Sequence, residues 1–283
     1  MNLGPYTLLG ELGRGGTGVV YHARDPAGRE VAVKLLARKS PDALERFQRE
    51  ARLHQQLGLQ AGFVPFLDMG LAPTGPYLVM PLLPGGTLSD QIKRRRFSPE
   101  ETAELGFRLA TALGRAHGLG IVHRDVKPDN VLFTQEGIPL LADLGMAKHF
   151  RHDVSGASQS VALSKDGQAR GTVSYMAPEQ LQDAANVGPP ADVFALGALL
   201  YECLTGEPAL VGATTIDLMV HVASAEHIPI RQLRADCPKW LGTLVERTLA
   251  ADPDERPENG TALADALAAG PPEAAAGRPR LAA

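Results

Sequence analysis

Cysteine is nearly missing from this chain. Only Cys203 and Cys237 occur in 283 residues, neither beside a second Cys or a metal-spaced His. This leaves no disulfide framework and no zinc site, and a reducing, cytoplasmic setting is expected. A surplus of one charge is lacking too. The formal net charge is -4, so no long-range field draws in a polyanion, and neither nucleic acid nor an acidic membrane is an expected partner. Long hydrophobic runs are absent as well. FALGALLYECL is among the longest and is too short to span a bilayer, and the opening MNLGPYTLLGEL has neither a basic n-region nor an apolar h-region. No membrane segment and no internal repeat are expected. What is present has globular proportions, 44% hydrophobic and 21% charged, at a length that suits one large domain or two lobes.

The pattern changes once along the chain. To about Met80 it reads as short β segments, YTLLGELG, GVVYHARD and REVAVKLLA, with a turn at Pro26-Ala27-Gly28. One helix interrupts them, starting at Ser40-Pro41-Asp42, with Leu44, Phe47, Ala51 and His54 at helical spacing. From about residue 87 helices dominate. Ser98-Pro99-Glu100-Glu101 opens a helix toward His117 with Leu105, Leu109, Ala112 and Leu113 on one face, and another apolar helix follows Pro189-Pro190. After about Leu267 the chain turns into an Ala/Pro/Gly-rich stretch with little to bury, read as a flexible tail over 268–283.

Gly13-Arg14-Gly15-Gly16-Thr17-Gly18-Val19-Val20 is a G-x-G-x-x-G-x-V string. Dinucleotide folds use the same spacing, but there the third Gly opens a helix, whereas Gly18 leads into a β-branched strand. A hairpin is the better reading, either a plain surface turn or one whose backbone N–H groups lie over phosphate oxygens. The next strand carries Val31-Ala32-Val33-Lys34. Alternation puts Lys34 on the face of Ala32, beneath the glycine loop, where an ammonium meets phosphate unless it merely ends a strand in solvent. Glu50, one turn beyond Phe47, is its expected carboxylate partner. Ile121 to Phe133, IVHRDVKPDNVLF, sets Asp125, Lys127 and Asn130 in a polar loop between apolar flanks. That loop offers a proton acceptor, a cation and a metal-coordinating amide together. In LADLGMAK, Leu141 to Lys148, Asp143 either closes a strand as a turn residue or carries a charge for a metal.

With Ala177-Pro178-Glu179 further on, these motifs stand in the order of the eukaryotic-like Ser/Thr protein kinases, which the chain resembles from about Tyr6 to about Leu267. The resemblance implies an α+β, bilobal protein-kinase fold. Its parts are a small antiparallel β-rich N-lobe with one main helix (about 6–80) and a larger, mainly helical C-lobe (about 87–267), with ATP between them. It implies ATP and Mg²⁺ or Mn²⁺ as cofactors and protein Ser or Thr hydroxyls as acceptors. Asp125 then accepts the hydroxyl proton, Lys127 neutralises the γ-phosphate, and Asn130 and Asp143 hold the metal. Lys34, oriented by Glu50, holds the α- and β-phosphates under the loop from Leu12 through Gly18. Val20 and Ala32 cover the adenine above and Leu132 below. Met80 is the gatekeeper, and the Pro81 carbonyl and Leu83 amide bond the ring; Pro81 needs no N–H for this.

Lys127 and Thr172 resemble the Ser/Thr branch. Asp192 matches the residue that braces the catalytic loop, and Arg256 the one that pairs with Glu179. Arg46, Arg124 and Lys148 stand where three cations meet a phosphate on the activation segment. That segment, Phe150 to Arg170, has no Thr and offers Ser155, Ser158, Ser160 and Ser164. Autophosphorylation there and a polar loop with incidental serines are both open, and a second kinase chain is a candidate partner.

Two residues depart from the family pattern, Leu144 in place of Phe and His54 in an apolar position. The run Lys93-Arg94-Arg95-Arg96 reads as a solvated helix end rather than a substrate patch. A catalytically weak scaffold of this fold would be expected to have lost one of Lys34, Asp125, Asn130 or Asp143, and a small-molecule phosphotransferase to lack Ala177-Pro178-Glu179 and Arg256. All are present. Relatives often carry a membrane span and a sensor domain after the kinase, and neither is expected here.

Overall fold

Apolar residues spread along the early segments build a sheet with a continuous apolar core on one face. The computed structural model of the protein describes residues 2–15, 18–36, 57–58, 61–143, 148–149, 173–183 and 187–271, with 148–149 by backbone alone. Gly16, Thr17, Leu144, Gly145, Thr172, the serines of 150–170 and residues 272–283 lie outside these. So does the helix expected from Ser40, with Arg46, Glu50 and His54. The chain separates into two compact units, Met1–Gly86 with Leu132–Ala147, and Thr87–Val131 with Lys148–Ala283.

In the first unit β1 (Asn2–Leu3), β2 (Tyr6–Gly15), β3 (Gly18–Arg24), β4 (Glu30–Leu36), β5 (Asp68–Ala72) and β6 (Gly75–Pro81) form one antiparallel sheet, ordered β1-β2-β3-β4-β6-β5. Leu3, Tyr6, Ala23, Val31, Val33, Tyr77 and Val79 fill its dry side. Because side chains alternate along a strand, Ala32 and Lys34 point to the opposite side. The expected turn between β3 and β4 forms. Its main organiser, passed over in the sequence, is Asp25, whose Oδ1 accepts from the Ala27 and Arg29 amides at 2.9 and 2.8 Å.

The stretch Leu132–Ala147 belongs to this unit although helical sequence precedes it. β8 (Val131–Phe133) pairs with β9 (Pro139–Leu141). Leu141 exchanges backbone bonds with the 62–64 segment, donating to the Gly62 carbonyl at 3.0 Å and accepting from the Val64 amide at 2.8 Å. Non-local backbone pairing of this kind leaves no periodic trace in sequence.

The second unit is built around helices. Here α1 is Leu88–Arg94, α2 Pro99–Gly118, α3 Pro178–Asp183, α4 Pro189–Thr205, α5 Thr215–Ser224, α6 Ile230–Leu233, α7 Lys239–Thr248 and α8 Gly260–Ala269. The expected start of α2 is a capping box: the Ser98 hydroxyl accepts from the Glu101 amide and the Glu101 carboxylate from the Ser98 amide, at 3.1 and 2.8 Å. Its apolar stripe is buried as the spacing predicts. α4 is apolar nearly all round and correspondingly buried on nearly every side. It ends at Gly206, in the left-handed region. α8 runs two residues past the boundary at which the tail was expected, to Ala269. The short strands β7 (Ile121–Val122) and β10 (Lys148–His149) pair antiparallel, Lys148 opposite Val122. Among the described residues no helix is long and apolar enough to cross a membrane.

Candidate functional site

In the first unit the glycine-rich string forms the hairpin expected of it. Gly13 pairs with Val20, Arg14 with Val19 and Gly15 with Gly18. A Cβ on Gly18 would lie 2.1 Å from the Leu35 carbonyl oxygen, so only glycine lets β3 approach β4 there. Leu12 is 52% exposed, and the Arg14 guanidinium meets Glu11 at 3.1 and 2.6 Å on the surface.

Directly opposed residues share a face of a sheet. Val20 opposes Lys34 and Ala32 opposes Met80, so these four line one face. Val20, Ala32, Met80, Pro81, Leu83 and Leu132 are all half-buried, whereas Val33, Leu78 and Val79 on the same strands are fully buried. Met80, Leu83 and Leu132 pack together against Val64, Leu140 and Ala142. The apolar set is thus gathered around the residue that precedes Asp143.

Asp143 follows β9 with φ +63°, a left-handed conformation rare outside glycine. Its Oδ1 accepts from Lys34 Nζ at 2.6 Å, and the lysine side chain is 6% exposed. Ammonium in a buried place stays charged only with such a partner. The expected partner of Lys34, Glu50, lies outside the described residues. Among the described ones Lys34 meets Asp143, brought in by the fold from 109 positions away.

In the second unit the polar loop after β7 is held from below. Asp192, in the first turn of α4 and fully buried, accepts at Oδ2 from the His123 amide at 2.7 Å and at Oδ1 from the Arg124 amide at 2.8 Å. Arg124 has φ +69°, a non-glycine strain that costs on the order of 1–3 kcal/mol and persists only where the surroundings impose it. Asp192 imposes it here, with Gln180, whose Nε2 donates to the Arg124 carbonyl at 3.2 Å. The Arg124 guanidinium reaches the Val187 carbonyl at 3.4 Å; Arg46 and the Lys148 side chain lie outside the described atoms.

Beyond this bend, Lys127 Nζ donates to both oxygens of Asp125 at 2.9 Å. Asn130, in the 3₁₀ turn Pro128–Asn130, donates its Nδ2 to the Asp125 carbonyl at 2.7 Å and to Oδ2 at 2.9 Å. The three residues singled out in the sequence form one hydrogen-bonded cluster. With Nδ2 committed, Asn130 keeps Oδ1, an oxygen of the kind that suits a hard cation.

Burial alone would push the Asp192 carboxyl up, but hydrogen bonds from His117 and the His123 backbone, with the nearby imidazoles, outweigh it and hold the group below its usual range. A depressed carboxylate contributes stability that is present above its unfolded value, about 4, and lost as pH falls through the lower folded value. Urea titrations from pH 6 to pH 3 are expected to show an acid-side loss that Asp192→Asn lacks; parallel curves for the two proteins would contradict this.

Three contributors escaped the sequence reading: Gln180, His117 and the Tyr175–Glu202 pair. The Tyr175 hydroxyl donates to the Glu202 carboxylate. Burial, with the neighbouring charge of Asp129, pushes Glu202 up despite that bond. Arg256 grips Glu179 in the expected fork, at 2.7 and 2.9 Å.

A small antiparallel sheet with a buried, acid-paired lysine, and a helical unit with an Asp–Lys–Asn loop braced on a central helix, define a kinase-type fold. The chain belongs to the protein kinase domain family, whose model matches residues 6–267. It is 37% identical over 274 residues to the DNA damage-responsive serine/threonine-protein kinase RqkA of Deinococcus radiodurans, covering 92% of this chain and 39% of that protein. It is 36% identical over 264 residues to the serine/threonine-protein kinase PknK of Mycobacterium tuberculosis, covering 91% of this chain and 23% of that one. With the serine/threonine-protein kinase PknE of Mycobacterium bovis the identity is 34% over 258 residues, covering 89% and 44%. The chain therefore spans less than half the length of these curated relatives.

Proposed function

We propose that this chain is an ATP-dependent protein kinase that transfers the γ-phosphoryl group of Mg-ATP to Ser and Thr hydroxyls of proteins, in the cytoplasm, and phosphorylates its own kind as well. The observation that carries the reading is the Asp125–Lys127–Asn130 cluster on its strained, Asp192-braced bend. Family membership and the names of the relatives support it.

Phosphoryl transfer needs positioning and charge more than covalent chemistry from the protein. Lys34 holds the α- and β-phosphates, and the glycine hairpin from Gly13 to Gly18 lays backbone N–H groups over them. The half-buried face of Val20, Ala32 and Leu132 takes the adenine, with the Pro81 carbonyl and Leu83 amide on its edge. Asn130 and Asp143 hold Mg²⁺ or Mn²⁺, which when bound neutralises phosphate oxygens. Asp125 takes the proton from the acceptor hydroxyl as its oxygen bonds to the γ-phosphorus and the bond to the ADP oxygen breaks. Lys127, already bound to Asp125, balances the charge on the transferred group. Glu50, Thr172 and the cations Arg46, Arg124 and Lys148 keep their family roles in this reading.

Purified protein with a generic protein acceptor is expected to transfer label from γ-labelled ATP and none from α-labelled ATP. Chelation of divalent metal is expected to abolish transfer, with recovery on Mg²⁺ or Mn²⁺. Transfer that persists in chelator would remove the metal roles of Asn130 and Asp143.

A further inference from the structure

Gln180, the third residue of α3, is 7% exposed and uses both ends of its side-chain amide. Its Oε1 accepts from the Ala177 amide at 3.0 Å, and its Nε2 donates to the Arg124 carbonyl at 3.2 Å. A backbone N–H can only donate and a carbonyl only accept, so the partners fix which end of the side chain is which. The backbone amide of Gln180 also donates to the Ala177 carbonyl at 3.0 Å. One residue thus holds both backbone groups of Ala177, which is fully buried, and reaches a loop 56 positions earlier.

Both ends of this bridge matter for transfer. Ala177 closes the stretch from Val173, which is turned back by a bond from the Met176 amide to the Val173 carbonyl at 3.1 Å. That stretch faces the catalytic loop across a cavity of about 10 Å³, with Arg124, Asp125 and Val126 lining it from the loop and Tyr175 and Met176 from the stretch.

At the other end, Arg124 is the left-handed bend, φ +69°, one residue before Asp125. A peptide unit is planar, so the bend is set by how the units before and after Arg124 are turned. Asp192 holds the unit before it, through the Arg124 amide at 2.8 Å. The unit after it leads into Asp125. Its N–H reaches His123 Nδ1 at 3.3 Å, within the loop, and its carbonyl takes the Gln180 side chain. The first of these bonds is local; the second ties the loop to α3.

We propose that Gln180 is a positioning residue for phosphoryl transfer: by bridging Ala177 and the Arg124–Asp125 peptide it sets Asp125 relative to the 173–177 stretch, so that the proton acceptor and the wall beside it move as one. The proposal rests on the reading of Asp125 as proton acceptor.

Two variants of nearly the same length test it. Gln180→Met removes both side-chain bonds. Gln180→Glu keeps an acceptor for the Ala177 amide; when ionised it turns a second oxygen on the Arg124 carbonyl, and when protonated it donates there as the amide does. Per folded molecule, Gln180→Met is expected to lower kcat about tenfold to a hundredfold at every pH, with KM for ATP within about twofold. Gln180→Glu is expected to approach wild type at about pH 6 and to fall to the level of Gln180→Met by about pH 9, the range in which a buried glutamate ionises. The charged groups around the bridge, Arg124, Asp125, Lys127, Glu179, Asp192 and Arg256, are shared with wild type, so the ratio of variant to wild-type kcat reads the new carboxyl alone. Wild-type kcat in Gln180→Met, or a ratio for Gln180→Glu that does not change with pH, would overturn the proposal. If only one variant folds, its own expectation decides. If neither folds, exchange of the Gln180 side-chain amide hydrogens in wild type decides: slow exchange supports the bridge, and exchange at the rate of free glutamine overturns it. An inactive wild type removes the kinase reading and this proposal with it, whereas an active wild type with an equally active Gln180→Met removes only the proposal.

Discussion

Asp125→Asn is expected to lower phosphoryl transfer by about 10²–10⁴-fold, the range that a positioned general base commonly contributes, while the protein folds as before. Asparagine keeps one oxygen to accept from Lys127 or Asn130, so the loop retains much of its bonding. What it cannot keep is the capacity to take a proton, and Lys127 loses the charge it was paired with at 2.9 Å. The loss should therefore fall on kcat, with KM for ATP little changed, because ATP is assigned to Lys34 and the half-buried face of the first unit. A rise in KM for ATP with kcat intact would mean that Asp125 organises binding rather than chemistry.

Arg256→Ala should give the largest loss of stability, roughly 3 to 5 kcal/mol, the cost of breaking a buried ion pair from one side. Its side chain is 0% exposed against 25% for Glu179. Nη1 and Nη2 donate to the two carboxylate oxygens at 2.7 and 2.9 Å, and also to the Pro190 and Ala251 carbonyls at 3.1 and 3.0 Å. Nε donates to the Ala250 carbonyl at 2.8 Å, and the guanidinium lies 4.9 Å from the Phe194 ring centre. Alanine strands three carbonyls and a carboxylate at once. Lysine restores the charge but not the planar fork, so Arg256→Lys should recover only part of the loss. Against a total stability of about 5–15 kcal/mol for a typical domain, urea unfolding reads such a change directly. A midpoint within error of wild type would show that the pair is replaceable by water. The surface pair Arg14–Glu11, 62% and 40% exposed, is of the opposite kind, and its loss should pass unnoticed.

Much of the site was legible because its determinants are local. The glycine string sits within one hairpin, the Asp–Lys–Asn cluster within one loop, and the Ser98–Glu101 box within one helical turn. The Lys93–Arg96 run also followed local rules: Arg95 pairs with Glu101 at 2.7 Å at an exposed helix end and stacks over Phe97. Long-range partners were not legible from local pattern; the Arg256–Glu179 and Asp192 contacts were expected only through the family resemblance. His117 meets Asp192 across 75 positions and Gly260 across 143, and Lys34 meets Asp143 across 109. Such contacts depend on how elements pack, and neither periodicity nor capping carries them. His117 left one weak signal, a polar residue continuing the buried stripe of α2 from Leu105 through Leu113. Gln180 left only a local one, since its amide oxygen caps the Ala177 N–H three residues before it, whereas its bond to the Arg124 carbonyl spans 56 positions and needs α3 docked.

The most direct test of the central claim is phosphoamino-acid analysis of a protein acceptor after incubation with γ-labelled Mg-ATP and wild-type protein, beside Asp125→Asn. The expected result is label on phosphoserine and phosphothreonine with wild type and nearly none with the variant. Equal label from both proteins, or label on tyrosine alone, would contradict the account.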